Sequence, residues 1–247
     1  EAVAANGGEF VPLTPVRAYD SRDGGGSLAS GSSRTVNVTA GGAVPPGATS
    51  VAYTLTAADT QQQGYLAAAP AGTGTPGVST LNWTTSGTVI ANTTTVGISG
   101  GDIEVYAGGG GSSQFVIDIV GFYAPAAGVD GLRFTPLTPT RSYDSRVSDG
   151  VLTPGAGRTT SMQVAGMPAS VGAVAFNLTV ADTSAMGYLT VTPSGTLAPP
   201  LASTINWTQP NTVVANGTVV KSVNNQVTTF AGVGSANYLT DVAGFFN

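Results

Sequence analysis

The sequence predicts an all-β protein made of two tandem, homologous β-sandwich domains. Three observations predict it: only 9% of the 247 residues are charged, the chain holds 35 Gly and 15 Pro, and most of it is repeated once. Soluble globular chains usually carry about 25% charged residues, so hydroxyl side chains must supply the polar faces here. β-branched residues between Gly and Pro turns are typical of short strands. No window has the apolar spacing of an amphipathic helix.

The internal repeat covers nearly the whole chain. Residues Phe10–Arg22 (FVPLTPVRAYDSR) reappear as Phe134–Arg146 (FTPLTPTRSYDSR), with ten of thirteen positions identical at an offset of 124. Later matches keep an offset of 124 or 123. A fixed period of this kind indicates duplicated structural units. We expect an N-terminal arm over residues 1–9, repeat 1 over 10–124, a linker over 125–133 and repeat 2 over 134–247.

Each repeat holds seven or eight short strands between turn signals. In repeat 1 we expect them near residues 15–19, 34–39, 50–57, 64–69, 79–84, 89–97, 102–107 and 114–123. The alternation in Val51–Leu55 is typical of a strand with one buried face. The apolar run Phe115–Tyr123 indicates a central strand covered on both sides. This spacing favours a two-sheet sandwich, jelly-roll or Ig-like, over one barrel shared by both halves.

The composition excludes several classes of function. The chain has no Cys and no His, which removes disulfides, ordinary zinc sites and the Ser-His-Asp and Cys-His catalytic arrangements. Its net charge is −5 with few, scattered basic residues, so we expect no nucleic-acid partner. No apolar run reaches the roughly 20 residues that span a bilayer. We therefore expect no enzyme activity, no cofactor and no metal.

The few ions occupy equivalent places in the two repeats. Asp118 lies within an apolar strand, where an unpaired carboxylate is costly and an Arg fork is the natural partner. We predict an ion network that fixes the first segment of each repeat against its last strand, formed by Arg17, Asp20, Arg22, Arg34 and Asp118 and by Arg141, Asp144, Arg146, Arg158 and Asp241. A second interpretation places Arg17, Asp20 and Arg22 in a pocket for a sugar or a carboxylate. Asp59 and Asp182 also recur, without an assigned role.

Four aromatic residues recur at matching positions: Tyr65, Trp83, Tyr188 and Trp207. Large aromatic side chains in a small sandwich commonly fill the core. Where they are exposed and coplanar, they stack on sugar rings. Both interpretations stay open from the sequence, and the four residues are our candidates for glycan binding.

The repeated motifs resemble a module of secreted actinobacterial proteins. That module carries Pro-x-Arg-x-x-Asp-Thr/Ser-Arg near its start, Gly-Tyr-Leu in its middle and Asp-Val-x-Gly-Tyr-Phe at its end. In repeat 1 the corresponding segments are Pro15–Arg22, Gly64–Leu66 and Asp118–Tyr123. The common member has Thr where Ser21 and Ser145 stand here. The resemblance implies export, a modular role in surface proteins and no catalytic activity.

Two functions are consistent with these features. The first is a structural or adhesive protein, secreted or at the cell surface, that self-associates. Its Glu1–Glu9 arm would meet the Phe245–Asn247 end of a neighbour, and such head-to-tail contacts generate filaments. The alternative is a carbohydrate-binding module for cell-wall or environmental glycans. The low charge and the abundance of Thr, Ser and Gly are typical of exported proteins.

Overall fold

The computed structural model describes residues 8–125 and 131–247, and its regular elements are all β-strands. Within these ranges no helix has the length and hydrophobicity needed to cross a membrane. The chain forms two compact units: unit 1 runs up to Leu132 apart from Ala91–Thr93, and unit 2 takes in Ala91–Thr93 with Arg133–Asn247. The expected arm and linker lie largely outside the described residues, so their boundaries stay predictions.

Unit 1 is a sandwich of two four-stranded antiparallel sheets. Its strands are β1 (Glu9–Asp20), β2 (Ser33–Asn37), β3 (Ser50–Ala58), β4 (Gly64–Pro70), β5 (Leu81–Trp83), β6 (Ile90–Gly97), β7 (Asp102–Gly108) and β8 (Gln114–Ala124). One sheet has the order β1-β8-β3-β6 and the other β2-β7-β4-β5. The last strand thus lies inside its sheet, between β1 and β3, which explains why it is apolar on both faces.

Unit 2 repeats the same arrangement. Its strands are β9 (Phe134–Asp144), β10 (Gly157–Ser161), β11 (Ala173–Ala181), β12 (Gly187–Pro193), β13 (Ile205–Trp207), β14 (Val214–Lys221), β15 (Gln226–Ala231) and β16 (Asn237–Phe246). Its sheets have the orders β14-β11-β16-β9 and β10-β15-β12-β13. This strand order in both units defines a jelly roll. The predicted fold class, two tandem homologous β-sandwiches, is confirmed.

Each sandwich encloses its own hydrophobic core. In unit 1, Tyr53 and Leu55 on β3 meet Leu66 on β4 and Ile117 on β8, all fully buried. In unit 2 the core is built from the equivalent strands, around residues such as Leu178. Because burial of an aliphatic or aromatic side chain contributes roughly 1.5–3 kcal/mol, each set of such residues can support an independent unit.

The first strand is longer than the sequence predicts. β1 begins at Glu9, whereas the expected strand begins at residue 15. The reason is that Pro12 and Pro15 interrupt the strand pattern, although proline is tolerated on an edge strand, where its missing N–H faces away from the sheet. The pairing of β1 with β8 shifts register between Pro12 and Val16, which accommodates both prolines.

Candidate functional site

The ion network of unit 1 joins its first strand to its last. Arg17 on β1 and Asp118 on β8 are direct cross-strand partners. The guanidinium of Arg17 binds both carboxylate oxygens, with Nε donating to Oδ1 at 2.7 Å and Nη2 donating to Oδ2 at 3.2 Å. The Asp118 side chain is only 1% exposed. This two-point contact compensates a carboxylate that would be costly to bury alone.

Asp20 connects this pair to a second arginine. Its Oδ2 accepts a hydrogen bond from Nη1 of Arg17 at 2.9 Å. The same carboxylate accepts three hydrogen bonds from Arg22, which come from Nη2 at 2.6 Å, from Nε at 2.8 Å and from the backbone N–H at 3.0 Å. The side-chain hydrogen bond from Arg22 lowers the pKa of Asp20 and, reciprocally, raises the pKa of Arg22. A carboxyl held ionised in this way is an anchor and a poor proton donor.

Unit 2 contains the same contacts with more exposed carboxylates. Arg141 donates to Asp241 at 2.6 and 3.1 Å and to Asp144 at 3.2 Å. The Asp241 side chain is 28% exposed, far more than its counterpart Asp118. The side-chain hydrogen bond from Arg146 lowers the pKa of Asp144 to about 2. The ion pairs therefore have the same geometry in both units, but the carboxylate of Asp118 is more deeply buried than that of Asp241.

Arg34 and Arg158 bind uncharged oxygens, and their assignment to the ion network is wrong for the described residues. Arg34 donates to the Tyr19 hydroxyl at 3.0 Å and to the carbonyls of Gly25 and Gly26 at 2.7 and 2.8 Å. Arg158 makes equivalent contacts to a tyrosine hydroxyl and to turn carbonyls. The fork of N–H donors on an arginine can hold several oxygens at once, so these two residues fasten the loop that follows the first strand.

Asp59 and Asp182 recur for a backbone reason. Each lies just after a strand with φ near +50°, at 49° and 50° respectively. This left-handed conformation is strained for most residues, and Asp is one of the few types that tolerate it. The repeated Asp therefore marks a turn.

The two tryptophans are core residues, which corrects their selection as glycan-binding candidates. Trp83 is 4% exposed and Trp207 is 2% exposed. The indole N–H of Trp83 donates to the carbonyl of Gln62 at 2.8 Å, and that of Trp207 donates to the carbonyl of Ala185. Both rings face the sandwich interior, where no sugar ring can stack on them.

Tyr65 and Tyr188 are half-buried and lie against glycines of a neighbouring strand or its end. A Cβ added to Gly108 would lie 2.4 Å from the ring of Tyr65, and one added to Gly232 would lie 2.2 Å from the ring of Tyr188. Only a glycine leaves room for such a close approach. Of the four aromatic candidates, these two keep an accessible surface.

Ser21 and Ser145 contribute contacts that the sequence analysis did not foresee. Both are fully buried. The Ser21 hydroxyl donates to the side chain of Gln114 and accepts the N–H of Phe115 at 2.8 Å, so it ties the end of β1 to the start of β8. Ser145 makes the equivalent contacts in unit 2. The available signal was their identity in both repeats, directly between Asp and Arg.

In unit 1 a short segment pairs with the outer edge of the first strand. The N–H of Phe10 donates to the carbonyl of Leu132 at 3.0 Å, and the N–H of Leu132 donates to the carbonyl of Phe10 at 2.8 Å. The pairing is antiparallel, and Phe10 is 1% exposed. Gly131 lies so close to this strand that a Cβ on it would be 2.2 Å from the Cβ of Glu9.

In unit 2 the first residue of the equivalent strand, Phe134, is more exposed than Phe10. Phe134 packs on Phe246 with ring centroids 5.1 Å apart, as Phe10 packs on Tyr123 at 5.0 Å. Yet Phe134 is 50% exposed. Among the described residues, β9 pairs with β16 on one side and with no strand on the other. This edge therefore presents a half-exposed aromatic ring.

The described part of the chain contains no cluster of side chains that could bind a metal ion. Within residues 8–125 and 131–247, no three His, Cys, Asp or Glu side chains gather as metal ligands. A depression in unit 1 near Pro45 and Ile98 is lined by residues that carry no ionisable side chain. The contacts thus define a first strand that is held to the last strand of each unit by arginine–aspartate pairs.

The fold and these contacts define a tandem jelly-roll protein whose first strand is fixed in each unit by arginine–aspartate pairs. No family model matches the sequence, and no curated protein matches it. Among solved structures, the chain is similar to the N-terminal CBM22-1-CBM22-2 tandem domain from Paenibacillus barcinonensis Xyn10C. The identity is 10%, the alignment covers 98% of this chain and 100% of that chain, and the TM-score is 0.24. A likeness at that TM-score is too weak to support a functional argument.

Proposed function

We propose that this chain is a non-catalytic structural protein, secreted or at the cell surface, that associates head to tail with copies of itself. The observation that supports it best is the contrast between the two first strands. The edge of β1 is covered at Phe10, whereas the same edge of β9 leaves Phe134 half exposed. A strand edge with an apolar side chain and unpaired backbone groups is a template for pairing with another chain.

The geometry of such a contact favours an open assembly. The amino-terminal region of one copy would meet the β9 edge of another, so two different surfaces form the contact. Contacts of this heterologous type build rings or filaments, and they build filaments when the rotation between copies does not close. The expected amino-terminal arm is the natural partner, and its first seven residues lie outside the described ranges.

The carboxylates of the repeated network support a structural role over a catalytic one. Asp20 and Asp144 both have pKa values below the ordinary value because arginine hydrogen bonds favour their ionised forms. A general acid at neutral pH needs the opposite shift, produced by burial or by a neighbouring negative charge. These aspartates therefore fit a role in holding strands.

Sedimentation velocity and negative-stain electron microscopy over a range of concentrations test the proposal. We expect oligomers that grow with concentration, and linear particles at the highest concentrations. A variant that lacks residues 1–7 should remain folded by circular dichroism and should sediment as a monomer. A wild-type chain that stays strictly monomeric at every concentration would refute the proposed function.

Carbohydrate binding is the second candidate, and the placement of Tyr65 and Tyr188 is the observation that favours it. The two half-exposed rings occupy equivalent positions, each against a glycine. Aromatic faces of this kind bind sugar rings when they are accessible. A glycan array followed by titration of any hit against Tyr65→Ala and Tyr188→Ala tests it. A hit whose affinity is unchanged in both variants would exclude these rings.

A further inference from the structure

The structure also indicates where a carbohydrate would bind, an inference that rests on the second candidate function, carbohydrate binding. We propose that the outer face of the sheet β2-β7-β4-β5 in unit 1 binds an uncharged pyranose glycan. Tyr65 and Tyr106 contact the apolar face of a sugar ring there, and Asn82 and Glu104 bind its hydroxyl groups. The equivalent face of unit 2 lacks this set of groups.

Tyr65 lies across the sheet with one face of its ring turned outward. On β4 it alternates with the buried Leu66, so it belongs to the outer face. Its direct partner on β7 is Gly108. A Cβ on Gly108 would collide with Cε1, Cζ and Oη of the tyrosine, so the end of the ring lies directly over the glycine backbone. The opposite face of a half-buried ring in this position is available for stacking on a sugar.

Tyr106 supplies a second ring on the same face. On β7 it alternates with Val105 and Ala107, which are both fully buried. Its ring centroid lies 6.2 Å from that of Tyr65, and the two ring planes are inclined by 44°. Tyr106 is half-buried, as Tyr65 is. The inclined pair can therefore contact one sugar ring from below and from one side.

Polar side chains lie beside both rings. Asn82 on β5 is exposed and is the direct partner of Tyr65. Ser33 on β2 is the direct partner of Tyr106, and its hydroxyl donates to Oε1 of Glu104 at 2.5 Å. This hydrogen bond draws the Glu104 carboxylate toward Tyr106. An amide and a carboxylate next to aromatic rings suit a sugar, whose hydroxyl groups both donate and accept hydrogen bonds.

The charge of this face selects against anionic glycans. Asp102 and Glu104 are two residues apart on β7, so both lie on its outer face. Within the four described strands of the sheet, Arg34 is the only basic residue, and its guanidinium lies over the ring of the buried Phe115 on the inner side. Like charges brought together at a contact are unfavourable. Sugars that carry carboxylate or sulfate groups are therefore disfavoured, and an uncharged glycan is the occupant.

Unit 2 keeps the ring over the glycine but not its accessible neighbours. Tyr188 lies over a glycine as Tyr65 does. The counterparts of the second ring, the carboxylate and the amide are buried, and they are Phe230, Thr228 and Asn206. The four strands of this sheet also hold no acidic residue. Tyr188 is therefore a matched control for Tyr65.

Titration calorimetry of the full-length chain tests the site. The uncharged probes are cellohexaose, xylohexaose and N-acetylated chitohexaose, and the anionic probe is hexagalacturonic acid. We expect the wild type to bind at least one uncharged probe and not the anionic one. Tyr65→Ala and Tyr106→Ala should each weaken binding at least about tenfold, because an aromatic contact surface is lost. Tyr65→Phe and Tyr188→Ala should retain the wild-type affinity, with all variants folded by circular dichroism.

The contrary results separate this inference from the function on which it rests. Binding that is lost in Tyr188→Ala and kept in Tyr65→Ala would overturn the site in unit 1 and leave carbohydrate binding standing. The same holds if hexagalacturonic acid binds as tightly as the uncharged probes. A wild type that binds none of the uncharged probes would also overturn this inference, and a glycan array without a hit would overturn carbohydrate binding itself.

Discussion

Removing the carboxylate of Asp118 should destabilise unit 1 far more than the equivalent change destabilises unit 2. The Asp118 side chain is 1% exposed and receives two hydrogen bonds from Arg17. Asp118→Ala leaves that guanidinium partly buried with Asp20 as its remaining carboxylate partner. Breaking a buried ion pair from one side costs about 3–5 kcal/mol of folding free energy.

The matched control is Asp241→Ala. Its carboxylate is 28% exposed and its partner Arg141 is 47% exposed, so water can replace much of the lost contact. Exposed ion pairs contribute roughly 0.2–1 kcal/mol. The two substitutions remove the same bonds from equivalent positions. The loss of unfolding free energy should be larger for Asp118→Ala than for Asp241→Ala by at least about 2 kcal/mol. For a unit of this size that difference shifts the melting temperature by roughly 8 °C.

The distribution of tryptophan makes the two units separately observable. The chain holds two Trp, one in the core of each unit. Labelling with 5-fluorotryptophan gives two ¹⁹F resonances, which Trp83→Phe assigns, and urea titration follows each unit in the intact chain. We expect Asp118→Ala to lower the midpoint of the Trp83 signal strongly, and Asp241→Ala to lower that of the Trp207 signal slightly. Equal shifts for the two variants would show that burial does not set the strength of the pair.

Three further predictions follow from the described contacts. The pKa of Asp144 is about 2 in the folded state and 3.8 ordinarily, so its ionised form stabilises the fold above about pH 4, and this stabilisation is lost as the pH falls from about 4 to 2. Urea midpoints measured across this range should show the loss of stability, and the loss should be smaller in Arg146→Gln. Gly108→Ala should cost at least about 1 kcal/mol, because its Cβ would meet the Tyr65 ring, whereas Gly217→Ala, with open space around it, should be neutral in the same urea titration. Both tryptophans should emit at short wavelength and resist acrylamide quenching, with or without added glycans, because they are buried.

Each of these has a clear contrary result. An acid transition that is identical in Arg146→Gln would separate the low pKa of Asp144 from its arginine. Equal costs for the two glycine substitutions would show that the tyrosine contact does not constrain the strand. Efficient quenching of either tryptophan would contradict its position in the core.

The internal repeat was the most informative feature for predicting the fold. Residues that are identical in both copies mark positions with a structural role, and residues that differ mark positions without one. The repeat located the buried pair of Arg17 and Asp118 and the apolar last strand. The choice between a jelly roll and an Ig-like sandwich needed the order of strands in each sheet. That order is set by pairings between strands far apart in sequence, such as β1 with β8, and such pairings leave no local pattern.

The errors at the site have equally specific causes. Arg34 is repeated at the equivalent position, as Arg17 is. Its partners, however, are a hydroxyl and two backbone carbonyls, and pairing of opposite charges along the sequence does not predict these contacts. For Trp83 a local signal existed. Within β5, Leu81 and Trp83 alternate with the exposed Asn82, so Leu81 and Trp83 share the inward face. The contrast between Phe10 and Phe134 was not predictable, because the two residues are identical and only the surrounding chain differs.

The ladder between the first and last strands brings the two ends of a unit side by side, since Glu9 and Ala124 are cross-strand partners. A domain whose ends adjoin can be copied in tandem through a short connector, and both copies keep every internal pairing. The same adjacency makes each unit a good subject for circular permutation, with new ends opened in a distant turn. Gene duplication could therefore lengthen this protein one unit at a time without new folding information.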